Sequence, residues 1–281
     1  MVHIKKLKII MISIILAVIA LIPNNVLADG PSYDITNYDM DAYIQEDGTI
    51  HIDESITYYF SSSANGLTRD LRYFYKTNKD SMEPNSARYQ ATGIENITVA
   101  VTNPANITTN FTKASNAEKG DNGVYTVDAV NADRTDGYDI MVYSPISSNN
   151  FQTVHYSYDI TDAVVQYNDM SEIYYNFIGN GIETDVDEFN LDIYLPKSIN
   201  MDDVKYYPHT YATKLEDIQV MLDSASNCIS FNIRNIPSGK PVDARIVFPN
   251  TVLMNCTKKY NNDTIDKSKN MGELREPGVR T

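Results

Sequence analysis

The chain has 281 residues, with 37 acidic and 23 basic side chains and a formal net charge of −14 at pH 7. Such a charge repels polyanions, so we exclude nucleic acid and anionic membrane surfaces as partners. Two cysteines are too few for a disulfide scaffold, and stability must therefore come from packing of the 42% of residues that are hydrophobic.

The first 28 residues have the three regions of a secretory signal peptide. A basic region with three lysines precedes an apolar run over residues 9–22, and a small-residue cleavage site ends at Ala28. The run is shorter than the roughly 20 residues that a membrane-spanning helix needs. We therefore expect an exported chain, whose mature part has a net charge of −17 because the removed segment carries three lysines and no acid.

The clearest strand signal lies near the start of the mature chain. Residues 50–60 alternate with a period of two, with apolar side chains on one face and polar side chains on the other. An Asp47-Gly48 turn joins this strand to the alternating segment before it, which predicts an antiparallel hairpin.

One residue breaks the alternation, because Glu54 falls on the apolar face. A carboxylate buried there needs a partner, and Arg69 follows close enough in sequence to fold back onto it. We predict a structural ion pair between Glu54 and Arg69. The alternative is that Glu54 is a buried catalytic acid.

The rest of the chain also reads as short strands. Strand-like runs cover residues 94–101, 107–111, 123–127, 138–143 and 151–160, and a second strand-rich block covers residues 189–248. Such runs, separated by turn residues, are typical of β-sandwiches. The only helical candidates are residues 161–166 and 169–177.

These elements predict an all-β protein with two β-sandwich-like subdomains and short helical connections. The first domain covers residues 29–165 and the second β-rich domain covers residues 166–254. The polar segment 255–281 lacks a hydrophobic pattern, and we expect it to be a disordered tail.

Common catalytic and metal-binding motifs are absent from the sequence. It contains no G-x-S-x-G, H-E-x-x-H, C-x-x-C, phosphate-binding loop or dinucleotide-binding glycine motif. We therefore expect no catalytic residue, no metal and no cofactor. The candidate binding residues are Asp169, Glu172 and His209, of which His209 falls in an expected loop. His51 and His155 lie on polar strand faces, where we expect ordinary surface histidines.

Acidic residues cluster in two further places, at positions 183–188 and at Asp202-Asp203. Paired carboxylates can hydrolyse glycosides, and clustered oxygen ligands can bind Ca²⁺. Neither cluster has the spacing of a calcium loop, so solvated loops are the simpler expectation. Cys228 and Cys256 form a possible disulfide in an exported protein.

Four segments together resemble the DUF2207 family of predicted bacterial membrane proteins. They are the hairpin over residues 38–60, the Asn65-Gly66-Leu67-Thr68-Arg69-Asp70-Leu71 motif, residues 167–179, and the pair Tyr194-Leu195-Pro196 and Val247-Phe248-Pro249. The resemblance covers about residues 33–250 and implies an exported β-rich domain followed by transmembrane helices. This sequence has no second apolar run of that kind, so we expect a shortened member or a fragment of a longer parent.

Two functional hypotheses follow. The preferred one is an exported, non-catalytic interaction module at the cell surface or in the envelope, with an envelope or protein partner. It would contact the membrane only through the signal segment or a missing C-terminal anchor. The alternative is a hydrolase that acts on a cell-envelope polymer through an acidic cluster, with acids from Asp169, Glu172 and residues 183–188.

Overall fold

A computed structural model describes residues 32–75, 91–131, 135–179, 181–196, 199–210, 214–260 and 278–279. The predicted signal peptide and most of the predicted tail lie outside these residues. Within the described ranges, no helix has the length and apolar character needed to span a membrane.

The described residues form strands, in agreement with the all-β prediction. In chain order these are β1 (Tyr33–Ile44), β2 (Ile50–Phe60), β3 (Ala64–Tyr75), β4 (Gly93–Thr102), β5 (Thr108–Asn110), β6 (Thr112–Lys113), β7 (Val124–Asn131), β8 (Thr135–Ile146), β9 (Asn150–Thr161), β10 (Val164–Tyr167), β11 (Met170–Ile178), β12 (Val186–Tyr194), β13 (Lys205–Thr210), β14 (Ile218–Asp223), β15 (Cys228–Ile236), β16 (Val242–Pro249), β17 (Lys259–Tyr260) and β18 (Gly278–Val279). Short 3₁₀ turns occur at Met201–Asp203, Leu215–Asp217 and Asn250–Val252.

The strands belong to three sheets. An eight-stranded sheet has the order β14-β15-β12-β1-β2-β9-β4-β5. A six-stranded sheet has the order β17-β10-β11-β16-β13-β18, and a four-stranded sheet has the order β3-β8-β7-β6. One hydrophobic core includes buried residues of all three sheets, among them Ile52, Val142 and Ile246.

Buried residues from both sides of residue 165 belong to one hydrophobic core. Strand β12, from the predicted second domain, pairs in parallel with β1 and places Met40 opposite Leu191. Both side chains are buried in the shared core. Strands that are far apart in sequence therefore complete one sheet.

The first hairpin forms as predicted. Gln45 N donates to Thr49 O at 2.8 Å, and Gly48 adopts a φ of +89°, which is the left-handed region that glycine enters without a steric penalty. In β2 the core-facing residues are buried, and their neighbours are half-buried or, at Asp53, exposed. The alternation in the sequence therefore identified the buried face of this strand correctly.

The predicted helices over residues 161–166 and 169–177 are wrong, because the chain there forms β10 and β11. Strand β11 lies between β10 and β16, and its residues from Ser171 to Tyr175 are all buried. A strand that is covered on both faces has no polar side to alternate with, so it lacks the period-two signature.

Candidate functional site

Glu54 and Arg69 form a buried ion pair between β2 and β3. The guanidinium donates from Nε to Glu54 Oε1 at 2.9 Å and from Nη2 to Glu54 Oε2 at 3.1 Å. The side chain of Glu54 is 0% exposed and that of Arg69 is 5% exposed. Parallel contacts of this kind are the strongest form of carboxylate–arginine pairing.

Two tyrosines complete the surroundings of this pair. Tyr38 OH accepts from Arg69 Nη2 at 2.8 Å and donates to Glu54 Oε2 at 2.7 Å, and Tyr158 OH lies 3.5 Å from the same oxygen. Burial raises the pKa of Tyr38 well above its ordinary value, which keeps its hydroxyl neutral. Glu54 thus accepts from several donors and is closed off from solvent, an arrangement suited to holding β3 against the eight-stranded sheet.

The candidate residues Asp169 and Glu172 are not brought together. Asp169 is exposed, whereas Glu172 is fully buried and bonded to Arg245 Nε and to Tyr167 OH. Burial raises the pKa of Glu172, although Arg245 acts in the opposite direction. Glu172 is therefore engaged in a second buried ion pair, and no acid pair of a glycosidase forms with Asp169.

His209 lies in β13, which corrects the expectation of a loop. Its ring is half-buried, and Nδ1 is 3.3 Å from Tyr174 OH on β11. The two rings are 5.6 Å apart. His209 is therefore a packed side chain of the six-stranded sheet.

Two acids of residues 183–188 are hydrogen-bonded to separate neighbouring groups. Asp185 accepts from Ser238 N at 2.7 Å, and Glu188 accepts from Asn232 Nδ2 at 2.6 Å. Asp202 and Asp203 lie exposed in a 3₁₀ turn. In the described ranges no group of three or more His, Cys, Asp or Glu side chains could hold a metal ion.

Cys228 and Cys256 are both buried free thiols, which corrects the possible disulfide. Cys228 Sγ lies 3.6 Å from Ser230 Oγ on β15. Cys256 Sγ lies 3.6 Å from the carbonyl oxygens of Val164 and Lys258, next to the turn that contains Gly48. The two thiols therefore have separate environments.

The strongest functional candidate is the face of the eight-stranded sheet that points away from the core, which we call the outer face. Strand register places Asp41 opposite Asp192 on β12 and opposite Asp53 on β2, so three aspartates form a row across three adjacent strands. Burial and the charges of Asp192 and Asp53 raise the pKa of Asp41. Facing like charges destabilise a sheet, so the row has no evident value for folding.

An aromatic pair lies beside the acidic row. Tyr43 and Tyr194 stack with ring centroids 4.7 Å apart and an interplanar angle of 11°, and the His51 ring is 6.1 Å from Tyr43. Burial and the charge of Asp41 raise the pKa of both tyrosines, so their hydroxyls stay neutral. The outer face therefore combines negative charge with a flat aromatic surface.

Two histidines on the outer face have different partners. His51 Nδ1 donates to Asp159 Oδ1 at 2.7 Å, and Nε2 lies 3.5 Å from Ser157 Oγ. His155 contacts Ser55 Oγ through Nδ1 at 2.7 Å and Thr102 Oγ1 through Nε2 at 2.8 Å. His51 therefore has a carboxylate partner, whereas the two ring nitrogens of His155 contact hydroxyls.

A cleft of about 510 Å³ lies along β2, β9, β4 and β5. Outer-face residues on its wall include Asp53, Ser55, His155 and Ser157. Its volume is that of a small-molecule site. The outer face thus offers a half-open cleft as well as an open charged surface.

Sequence reasoning placed His51 and His155 on polar strand faces but missed Asp41, Asp192 and Ser157 as members of one surface. The polar positions of β2 and β9 were visible as alternation within each strand. Their juxtaposition depends on the register between strands about a hundred residues apart, which the pattern within a single strand does not specify.

Solved structures with a related chain path have low sequence identity. A candidate nutrient binding protein from Legionella pneumophila subsp. pneumophila str. Philadelphia 1 is 8% identical, with a TM-score of 0.40 over 77% of this chain and 67% of that chain. A candidate protease from Parabacteroides distasonis ATCC 8503 is 11% identical, with a TM-score of 0.43 over 77% of this chain and 40% of that chain. An M1 zinc metallopeptidase from Deinococcus radiodurans is 8% identical, with a TM-score of 0.34 over 75% of this chain and 42% of that chain. With TM-scores below 0.5, none of these likenesses bears on function.

No curated protein matches the chain. The family model described as "Predicted membrane protein (DUF2207) N-terminal domain" matches residues 34–248, which is most of the chain. The chain therefore belongs to the DUF2207 family, as the resemblance of its segments indicated.

Proposed function

We propose that this domain is an exported interaction module of the cell surface or envelope, and that it binds a positively charged segment of an envelope partner through its outer face. The observation that carries the proposal is the row of Asp192, Asp41 and Asp53 beside the stacked Tyr43–Tyr194 pair. A cationic partner would neutralise the row.

The chemistry of the outer face supports a basic partner. Carboxylates attract lysine and arginine side chains over several ångströms, and an exposed aromatic ring also attracts a cation that lies over it. The chain as a whole is strongly acidic, which favours encounter with basic surfaces.

The alternative of a hydrolase that uses Asp169, Glu172 or the acids of residues 183–188 has less support. Asp169 is exposed whereas Glu172 is fully buried, and hydrogen bonds hold Asp185 and Glu188 in local contacts. A non-catalytic role for these acids fits the geometry better.

A binding experiment tests the proposal. Fluorescently labelled oligolysine is titrated with the protein at low ionic strength, and anisotropy reports binding. The variant Asp41→Asn/Asp192→Asn should bind at least about fivefold more weakly, since each rim charge contributes a fraction of a kcal/mol to 1 kcal/mol.

The matched control is Asp128→Asn/Asp203→Asn, which removes the same charge from exposed positions outside the outer face. This control should bind like the unmodified protein. Equal weakening in both double variants would mean that oligolysine senses only the net charge, and the proposed surface would be rejected.

A further inference from the structure

We propose that Ser157, His51 and Asp159 form an acyl-transfer site on the outer face, with Ser157 as the nucleophile and a small carboxylic ester as the substrate. This inference goes beyond binding, and it does not use the acids that the sequence singled out. The inference rests on the relative positions of the three side chains, on a fourth side chain that holds Asp159, and on the cleft beside Ser157.

The three side chains have the connectivity of a nucleophile, a base and an orienting acid. A carboxylate can only accept, so the 2.7 Å contact makes His51 Nδ1 the donor to Asp159 Oδ1. In the neutral ring, Nε2 is then free of a proton and accepts from Ser157 Oγ at 3.5 Å. Such contacts are often long before substrate binds, and triads are recognised by these roles rather than by sequence order.

Asp159 is itself held in place. Its second oxygen accepts from Asn96 Nδ2 at 2.6 Å. Asn96 has a φ of +56° and lies at a register irregularity of β4, between Glu95 and Thr98. Bulges are common beside active sites, where they re-aim a side chain.

The charge state of Asp159 suits the role of an orienting acid. Burial alone would raise its pKa, but the hydrogen bonds from Asn96 and His51 outweigh this effect, and the pKa of Asp159 is lowered. Asp53 Oδ1 lies 3.4 Å from His51 Nε2, so a second carboxylate would stabilise the imidazolium that forms during the reaction.

The substrate has room beside the nucleophile. Ser157 is on the wall of the cleft of about 510 Å³, and Thr98 lies directly opposite Ser157 on β4. The His51 side chain is 37% exposed, so its ring is within reach of a ligand. A compact acyl group fits this space, whereas the flat outer face beyond it would contact the remainder of a larger ester.

The reaction balances with water as the co-substrate. Ser157 Oγ attacks the ester carbonyl carbon while its proton moves to His51 Nε2. The alcohol leaves with that proton, and an acyl-serine remains. Water then gives a proton to His51 Nε2 as its oxygen attacks the acyl carbon, and the released serine oxygen takes the proton back.

The same sheet face contains an internal control. Ser55 and His155 make a shorter serine–histidine contact, 2.7 Å, and both line the same cleft. This pair differs from Ser157 and His51 in the partner of the second ring nitrogen. His155 Nε2 contacts Thr102 Oγ1 rather than a carboxylate. Burial also lowers the pKa of His155, which makes it a weaker base.

Active-site labelling tests the inference. The full chain is treated with a fluorophosphonate probe, and mass spectrometry locates the modified serine. Hydrolysis of 4-nitrophenyl acetate is measured on the same samples. We expect labelling of Ser157 in the native protein, and Ser157→Ala should abolish both signals.

His51→Ala should lower the hydrolysis rate by about 100-fold or more, as expected for loss of a general base. Asp159→Asn, which preserves the size of the side chain, should also lower it strongly. Ser224→Ala, which changes an exposed serine that does not line the cleft, should leave both signals within about twofold, which is far less than the loss of a general base would cause. Melting temperatures close to that of the unmodified chain show that each variant is folded.

Absence of native labelling at Ser157, equal labelling of Ser55, or unchanged hydrolysis in Ser157→Ala would each overturn the acyl-transfer site. The oligolysine experiment is independent, because Ser157→Ala leaves the aspartate row intact. Failure of catalysis therefore leaves the binding proposal standing, and failure of binding leaves the catalytic proposal standing.

Discussion

The guanidinium of Arg69 donates two parallel hydrogen bonds to the carboxylate of Glu54 inside the core, at 2.9 and 3.1 Å. Removing one partner of such a pair leaves the other charge buried without compensation, at a cost of about 3–5 kcal/mol. The pair links β2 to β3, which belong to different sheets.

We predict that Arg69→Met lowers the free energy of unfolding by about 3–5 kcal/mol, because Glu54 keeps its burial but loses its counter-charge. Glu54→Gln should destabilise for the same reason. Chemical denaturation measures both changes. The control is Arg72→Met, since Arg72 pairs with the partly exposed Asp139 and should contribute only about 1 kcal/mol or less.

The double variant Glu54→Met/Arg69→Met distinguishes a structural pair from a functional acid. It removes both charges and should be more stable than either single variant. A Glu54→Gln protein of normal stability that has lost a cellular function would contradict this interpretation and favour a chemical role for Glu54.

A second prediction concerns the turn of the first hairpin. Gly48→Ala should lower the free energy of unfolding by more than 1 kcal/mol, on the order of 2, because alanine is strained at a φ of +89° and its Cβ would lie 3.0 Å from Cys256 Sγ. Gly120→Ala is the matched control. Gly120 has a φ of +102° but open space around a Cβ, so it reports the backbone strain alone.

Thermal unfolding of the two alanine variants separates the two effects. The difference between them should shrink when Cys256→Ala is the common background, because the sulfur atom is then gone. If Gly48→Ala and Gly120→Ala were equally destabilising in the unmodified background, the contact with Cys256 would have no energetic role.

A third prediction is that both cysteines are free thiols in the folded protein. Burial raises the pKa of Cys228 and of Cys256, so at neutral pH both are protonated and react slowly. Iodoacetamide should modify neither thiol appreciably in the native protein and both in the unfolded protein without any reductant. Intact mass spectrometry counts the modified thiols. A protein that required reductant before both were modified would contain the disulfide and contradict the structure.

The sequence predicted the parts of the fold whose side chains alternate between core and solvent. Strand β2 is the clearest example, and the exception at Glu54 pointed correctly to a buried partner. Residues 169–177 were misread as helical because β11 is buried on both faces, which removes the period-two signal.

The candidate site was less accessible to sequence reasoning for a different physical reason. The contact between His51 and Asp159 joins residues 108 positions apart, and the row of Asp41, Asp53 and Asp192 joins three strands. A polar strand face is visible from alternation, but its neighbours are set by sheet register, which depends on the packing of the whole core.

The last prediction connects the stability of the outer face to its proposed binding function. The pKa of Asp41 is raised by burial and by the like charges of Asp192 and Asp53, so the folded state holds the proton of Asp41 more tightly than the unfolded state does. Ionised Asp41 therefore destabilises the fold. This destabilisation is fully present above the folded-state pKa and disappears as the pH falls below the ordinary value of 3.8.

Asp41→Asn should accordingly raise the free energy of unfolding at pH 7 by about 0.5 kcal/mol, the scale of a facing like-charge pair, and the gain should vanish near pH 3. Thermal unfolding across this pH range measures the effect, with exposed Asp203→Asn as the control that should show little change. A loss of stability in Asp41→Asn at pH 7 would mean that the row is stabilising in the folded protein. A gain in stability together with weaker oligolysine binding would identify the row as a feature kept for binding at the expense of stability, as is common at functional sites.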